Sequence, residues 1–498
     1  MVIVISFLIK LQGFKIISGG NESTLPTLGT LQGVLTVKEC KSLSYMSLKD
    51  WPAAHAMQPS IPELYRVVLS GAVKNPPSQT ENALNIGLDW LTSKVCKGVF
   101  VRIRNRKLES YIYITNQENY VNPIINDILK LAKNIHNPDG TVAYPTKELD
   151  QYYNSGVNRA VSGSYIWHDA FDDLGAVDNK DDKEVLQSYK TYFVMFGTFL
   201  ETIAPRLHDI SFFAVLGDQM FWPESPGKPL DDSFPTNSPK RPSGDAPIMV
   251  NFSNRSGYNH LLLPTVDDMS NSLGKLFPSA CNTAHYNDVI SSSYKIVPWN
   301  NRKSAALFRG SPTGFGQSSR TNARLDIANR CLLLHTNPQL GNSKIILDAG
   351  LTRATKARSK LYFGSLAGKP IIEPRMNYGK WKRCVRASVP FIEWGNWKYL
   401  ISIDGNVVAF RLATMFAFGS VVILYRPVFD CWVNEFLKPR INCIIAFDYN
   451  SLVSEIEWAE EFGRAEKIGA AGRHLFETKF SSMAIQDYAV EALNNALL

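Results

Sequence analysis

Long hydrophobic runs are missing from this chain. No stretch reaches the ~18 uninterrupted apolar residues of a membrane-crossing helix. The two nearest, 1–9 and 412–425, are stopped by Lys10 and Lys15 or split by Gly419-Ser420. The first reads as a buried strand or a frayed start rather than a leader, the second as a helix turning into a strand. The seven cysteines (Cys40, Cys96, Cys281, Cys331, Cys384, Cys431, Cys443) are far apart, odd in number and never spaced C-x-x-C. That argues against a zinc site or a dense disulfide framework and for buried thiols. Also missing are D-x-D, G-x-x-x-x-G-K-[ST], G-x-G-x-x-G, G-x-S-x-G and H-E-x-x-H. The nearest phosphate-loop match, Gly364 to Lys369, is one residue short and runs into Pro370. No motif therefore supports a metal, a flavin or a hydrolase serine, and neither metal nor cofactor is expected.

What is present is a globular composition. Of 498 residues, 45% are hydrophobic and 20% charged, too apolar for disorder along the whole chain. At about 150 residues per domain the length suggests two or three domains. The formal charge is +8, but residues 301–386 hold 17 Lys or Arg against 3 Asp or Glu, a local balance of +14. The rest of the chain is therefore net acidic. Such a concentration attracts phosphate on a nucleotide, a nucleic acid or a lipid. On charge alone, a non-enzymatic nucleic-acid or phosphate-binding protein is an open alternative. The aromatic residues of that segment, Phe308, Phe315, Tyr362, Phe363, Tyr378 and Trp381, form no recognisable nucleic-acid module.

The patterning is α/β. Residues 104–108 followed by 111–114 read as a turn into a strand, and residues 120–210 as largely helical, with an amphipathic stretch at 124–135. The apolar runs 210–216 and 247–252 read as strands buried on both faces, as in a parallel sheet. Residues 222–246, rich in Pro, Ser, Gly and Asp, read as a long loop between them. Later come a strand at 305–308, a helix over about 322–333, a strand at 398–403, a helix at 408–418 ended by Gly419, and a strand at 421–425. Asp448 or Ser451 is placed to cap a final helical region. Alternating strands and helices imply parallel sheets in two such units.

Ligands of open α/β sheets bind beyond the carboxyl ends of the strands, and three loops qualify. Asp218 follows the first buried strand, where a carboxylate can serve as general base. Phe308-Arg309-Gly310-Ser311 combines a guanidinium, a glycine for close approach and a hydroxyl, a set suited to phosphate. Asp404 to Arg411 is a turn opening into a helix, with Arg411 near its start. For each, the plainer reading is a turn, a cap or an ordinary ion pair.

These loops carry a resemblance. Lys398-Tyr399-Leu400, the Gly405 turn, Ala409-Phe410-Arg411 and Gly419-Ser420-Val421-Val422 resemble the signature of the capsule-associated glycosyltransferases (family 90). That family includes the Rumi-type protein O-glucosyltransferases and fungal capsule xylosyltransferases. Three further blocks agree in order. Phe308 to Ser311 is similar to its F-R-G-S, Asp348-Ala349 with Thr352 to its D-A-x-x-T, and Leu437-Lys438-Pro439 to its L-K/Q-P. Asp218 precedes the block 247–258 as the family's catalytic Asp precedes P-x-F-S-x-x-x-x-x-Y. The chain departs at Pro312, where the family often has Arg, and at Gln219-Met220, where it has Y-P.

The resemblance covers about residues 100–490. It implies a GT-B fold, with two Rossmann-like domains facing a cleft. The implied divisions are an N-terminal extension (1–100), an acceptor-side domain (101–295), a UDP-sugar domain (296–470) and a C-terminal helix (471–498). It implies metal-independent, inverting transfer of glucose or xylose from a UDP-sugar, as co-substrate, to a hydroxyl of a glycan or protein. Asp218 would be the base. Arg309, Gly310, Ser311, Arg320, Asn406, Val407, Val408, Ala409, Phe410 and Arg411 would hold the donor. The loop 222–246 is expected to shape acceptor choice. An inactive protein of the same fold is the other alternative.

Overall fold

The computed structural model describes residues 80–91, 95, 97–115, 192, 195–216, 220–228, 240–255, 257–273, 296–315, 318–319, 321–337, 346–352, 359–360, 363–366, 369–372 and 381–497. All lie in the compact unit Thr36–Leu498. The expected amphipathic stretch at 124–135, together with Cys40, Cys96 and Cys281, lies outside the described residues. Cys331, Cys384, Cys431 and Cys443 are buried.

The first sheet follows α1 (Glu81–Trp90). Its strands are β1 (Lys97–Arg104), β2 (Lys107–Thr115), β3 (Ile210–Ala214), β4 (Met249–Asn251) and β5 (Leu261–Leu262), in the order β2-β1-β3-β4-β5. Every residue of β3 is buried, as its unbroken apolar run requires. β3, β4 and β5 are parallel, but β1 is antiparallel to both β2 and β3. The sheet is therefore mixed, not wholly parallel. The reversal from β1 to β2 is local: Asn105 and Arg106 both take positive φ (48° and 61°), a two-residue hairpin turn, whereas the antiparallel pairing of β1 with β3 joins strands distant in sequence. Residues 195–203 are helical, and α2 (Val266–Leu273) follows β5.

The second sheet is parallel throughout. Its strands are β6 (Lys303–Gly310), β8 (Ile346–Leu351), β12 (Trp397–Ser402), β13 (Val421–Tyr425) and β14 (Ile444–Ala446), ordered β14-β13-β12-β6-β8. Two small ribbons stand apart, β7 (Gly314–Phe315) with β9 (Ser359–Lys360) and β10 (Phe363–Leu366) with β11 (Lys369–Ile372). Helix α3 (Ala323–Thr336) leads from β6 toward β8, at the sheet's edge. The chain then returns to β12, on the other side of β6, and proceeds outward to β13 and β14. The order reverses between β6 and β12, which makes their carboxyl ends the topological switch point of a Rossmann-like sheet.

The helix expected over 408–418 is shorter. α4 spans only Leu412–Met415, and a single 3₁₀ segment carries the chain to Phe418. Residues 405–411 are held in turns, with Gly405 N–H donating to the Val407 carbonyl (2.8 Å) and Leu412 N–H to that of Ala409 (2.9 Å). Gly419 does end the segment in the left-handed region (φ 66°). Asp448 and Ser451 together form a capping box for α5 (Tyr449–Glu460). Helices α6 (Arg464–Lys479) and α7 (Ser482–Asn495) complete the described chain. α7 lies against α2, donating from Ser482 Oγ to the Asn271 carbonyl (3.3 Å).

One hydrophobic core joins the two sheets. It includes Val101, Phe199, Phe212 and Val250 on one side and Leu307, Leu400, Phe416 and Val422 on the other, without a break. The opposite faces carry separate cores, around Phe100, Phe213 and Trp222 and around Phe308, Ile401 and Ile456. Among the described residues no helix is long and apolar enough to cross a membrane.

Gly469 shows how tightly α6 is laid down. A Cβ there would stand 2.5 Å from the Gly419 carbonyl oxygen, a backbone atom that cannot swing aside. Replacing a helical glycine by alanine gains up to ~1 kcal/mol of helix propensity, whereas overpacking costs about 1–3 kcal/mol. Gly469→Ala should therefore lower stability in urea denaturation. An unchanged or raised midpoint would refute the close approach.

Candidate active site

The loops after β6 and β12 meet at the switch point. Gly314 N–H donates to Asn406 Oδ1 (3.1 Å). Gly314 has φ +114°, and a Cβ on it would lie 3.2 Å from the Gly405 carbonyl oxygen; one on Gly405 would lie 3.0 Å from Thr313 Oγ1. The positive φ of Gly314 favours glycine, and a side chain at either position would crowd the facing loop.

Arg324, in the first turn of α3, clamps the pair and is 8% exposed. Nε donates to the Asp404 carbonyl (3.0 Å), and Nη2 to that of Ile403 (2.9 Å). Nη1 donates to the Ser311 carbonyl (3.0 Å) and Thr313 Oγ1 (2.6 Å). One guanidinium thus spans both loops, which its rigid fork suits and a lysine would not. Asn322, the N-cap of α3, accepts from the amides of Arg324 and Leu325 and donates to the Thr313 carbonyl (3.3 Å). The start of the helix is thereby fixed to the same loop.

The candidate donor-binding residues take different parts in this arrangement. Arg309 is turned into the protein: it donates to the carbonyls of Ala387, Phe308 and Asp348 and forms an ion pair with Asp348 Oδ1 (2.6 Å). Gly310 accepts from Thr352 N–H (3.0 Å). Ser311 stands half-buried at the mouth of the loop. Val407, Val408 and Ala409 are buried. Arg411 donates to the Arg309 carbonyl (2.9 Å) and lies over the Trp394 ring at 4.9 Å. The structure thus brings Arg309 to Ser311 and Asn406 to Arg411 to one place. Asp218 and Arg320 lie outside the described residues.

The first sheet supports the same loop from behind. Val408 N–H reaches Ser253 Oγ (3.5 Å), Thr265 Oγ1 reaches the Phe410 carbonyl (3.2 Å), and the rings of Phe252 and Phe410 pack edge to face. These contacts hold residues 405–411 in turns. Asn254 and Asp430 exchange backbone hydrogen bonds (2.8 and 2.7 Å).

Two carboxyls sit at the junction. Asp404 Oδ2 accepts from the amides of Val428 (2.8 Å) and Phe429 (3.2 Å), yet burial lifts its pKa to about 6. Asp268 Oδ2 accepts from Thr265 N–H, Thr265 Oγ1 and Trp432 Nε1. Asp268 is 1% exposed, and burial lifts it to about 7. Arg324, Asn322 and Asp268 were not singled out from sequence, whereas Asp404 was read as the start of the third candidate loop. Only the N-cap position of Asn322, before an apolar helix, signalled its role. Among the described residues no cluster of His, Cys, Asp and Glu could hold a metal ion.

Two outcomes follow from this geometry. Arg324→Gln leaves loop carbonyls without donors and should cost about 1–3 kcal/mol in urea denaturation; a change under about 0.5 kcal/mol would show the clamp to be dispensable. Asp268 has a folded pKa above its unfolded value near 4, so the folded state holds a proton that the unfolded chain has released. Its contribution is present below about pH 4 and is lost as pH rises through about 7. Asp268→Asn should therefore flatten the decline in stability between pH 5 and 8, and an unaltered slope would contradict the assignment.

Comparison with known proteins agrees with the motifs. Residues 282–496, less than half of the chain, match the model of Glycosyl transferase family 90. An uncharacterized protein of Frog virus 3 (isolate Goorha) is 34% identical over 191 residues, 36% of this chain and 18% of that protein. Protein O-glucosyltransferase 2 of Danio rerio is 33% identical over 93 residues, 18% of each chain. Protein O-glucosyltransferase 3 of Mus musculus is 26% identical over 270 residues, 54% of this chain and 43% of that protein. The chain thus spans about a fifth of the viral relative and less than half of either animal one. The region that contains the switch-point loops, residues 282–496, is the one that matches the model of Glycosyl transferase family 90.

Proposed function

We propose that this chain transfers glucose or xylose from a UDP-sugar to a hydroxyl of a glycan or protein acceptor, with inversion at the sugar carbon. The observation that carries the reading is the meeting of two family motifs, Phe308 to Ser311 and 405–411, at the switch point of a parallel sheet. That is where open α/β sheets bind nucleotides. The names of the animal relatives favour glucose as the sugar.

In this reading Asp218 takes the proton of the acceptor hydroxyl as its oxygen attacks the sugar carbon. The bond from that carbon to the diphosphate breaks, and UDP leaves with the electron pair. Ser311, Arg320 and the segment Asn406 to Arg411 hold the UDP and its phosphates. Arg309 and Gly310 shape the loop from beneath, Arg309 through its bonds to Asp348 and Ala387. Fixed donors aimed at developing charge stabilise a leaving group without reorganising, and we assign them the part that a metal plays elsewhere. The two sheets are read as the halves of a GT-B arrangement, 101–295 for the acceptor and 296–470 for the donor, with 471–498 as a C-terminal helix.

Part of the basic segment serves the fold rather than a charged surface. Of its 17 cations, Arg302, Arg309 and Arg324 are buried and donate to the fold itself. A polynucleotide needs such charges on the surface.

The test is UDP release from UDP-glucose and UDP-xylose by the purified chain, with EDTA and without added metal. Wild type should turn over at least one donor, and the chelator should not slow it. Asp218→Asn should lower the rate at least about a hundredfold, the usual scale of general-base catalysis. Absence of both UDP release and a thermal shift with UDP would overturn the proposal.

A further inference from the structure

The buried histidine beside the first sheet makes polar contacts as well as packing contacts. His260 is 6% exposed and lies just before β5. Its Nε2 accepts from two consecutive amides, Phe221 N–H (3.4 Å) and Trp222 N–H (3.1 Å). Since that nitrogen accepts, the ring proton sits on Nδ1, which faces Asn254 Oδ1 at 3.3 Å. Burial drives the pKa down to about 3, so the ring stays neutral and keeps one acceptor and one donor. The ring also packs between Phe221 (centroids 4.5 Å) and Tyr258 (6.2 Å, nearly parallel).

Both ends of this link have consequences. Phe221 and Trp222 begin the segment directly after Asp218-Gln219-Met220. That segment is further tied by Trp90 Nε1, which donates to the Phe221 carbonyl (2.6 Å), and by Arg241 over the Trp222 ring (4.5 Å). At the other end, Asn254 pairs through its backbone with Asp430, whose neighbours Val428 and Phe429 donate to Asp404. Asp404 is in turn held by Arg324 against the loop of Ser311 and Thr313. Hydrogen bonds and short stretches of chain therefore link the segment after Asp218 to the switch-point loops.

We propose that His260 is a positioning residue, which fixes the main chain following Asp218 relative to the switch-point loops. The proposal rests on the transferase reading above for what that positioning achieves. A ring retained only for packing would be served equally well by phenylalanine. A group retained for one acceptor and one donor would be served by glutamine. A base displaced by about 1 Å costs on the order of a hundredfold in rate, whereas the donor contacts on the second sheet do not involve this ring.

The experiment compares His260→Phe and His260→Gln with wild type in three measurements on the whole chain. These are hydrogen exchange of the 220–228 amides, UDP affinity, and the rate of UDP release. In His260→Phe, exchange at Phe221 and Trp222 should rise and the turnover rate fall at least about tenfold, with UDP affinity within about twofold. His260→Gln should restore most of the protection and of the rate. Unchanged exchange in His260→Phe would overturn the proposal. So would loss of turnover and UDP affinity together in both variants, which marks a purely structural role. If wild type releases no UDP, the transferase reading falls by itself, and exchange alone decides whether His260 holds this segment.

Discussion

Everything at the switch point depends on the close approach of two loops. Gly314 and Gly405 make the approach possible, and Arg324 makes it persist by donating to both loops at once. An arginine inside a protein must find acceptors, because an unmet buried donor costs about 1–3 kcal/mol. Here the acceptors are main-chain carbonyls that a turn would otherwise leave open. One cation thus satisfies the loops and sets their separation. The side chains at their mouth, Ser311 and Asn406, inherit their positions from that separation.

The junction between the sheets is polar where it supports the loops and apolar elsewhere. Ser253, Thr265 and Asn271 each reach across to residues 408–414, and between them lie aromatic pairs such as Phe252 with Phe410. Asp268, buried, and Asp404, half-buried, are acids whose pKa values rise because desolvation outweighs their hydrogen bonds. His260 is shifted the opposite way by the same cause, since burial penalises the charged form of either kind of group.

Features governed by local pattern could be read in advance. The buried strands β3, β6, β12 and β13 announce themselves as short apolar runs, Gly419 as a left-handed stop, and Asp448 with Ser451 as a cap. Features governed by distant partners could not. The antiparallel set of β1 depends on a partner, β3, more than a hundred residues away. The helix expected from residue 408 starts at Leu412 because Ser253 and Thr265 hold the preceding turns. Arg324 was one basic residue among many, and His260 one of eight histidines in no motif. Arg309 had the composition of a phosphate ligand, yet its donors are taken by Asp348, Ala387 and Phe308. The glycosyltransferase resemblance was legible because its blocks fall on strand ends, where order along the chain and position in space coincide.

The unbroken core between the sheets bears on how the protein can be dissected. A chain cut between residues 295 and 296 would leave Phe212 and Val250 on one piece, and Leu307 and Phe416 on the other, facing water. Each piece would then carry an adhesive apolar face in place of an interior. The second piece would also take α7 away from α2, its support in the first. The two sheets are thus obligate companions: a soluble preparation of either half requires a redesigned surface, whereas co-expressed halves retain the means to reassemble.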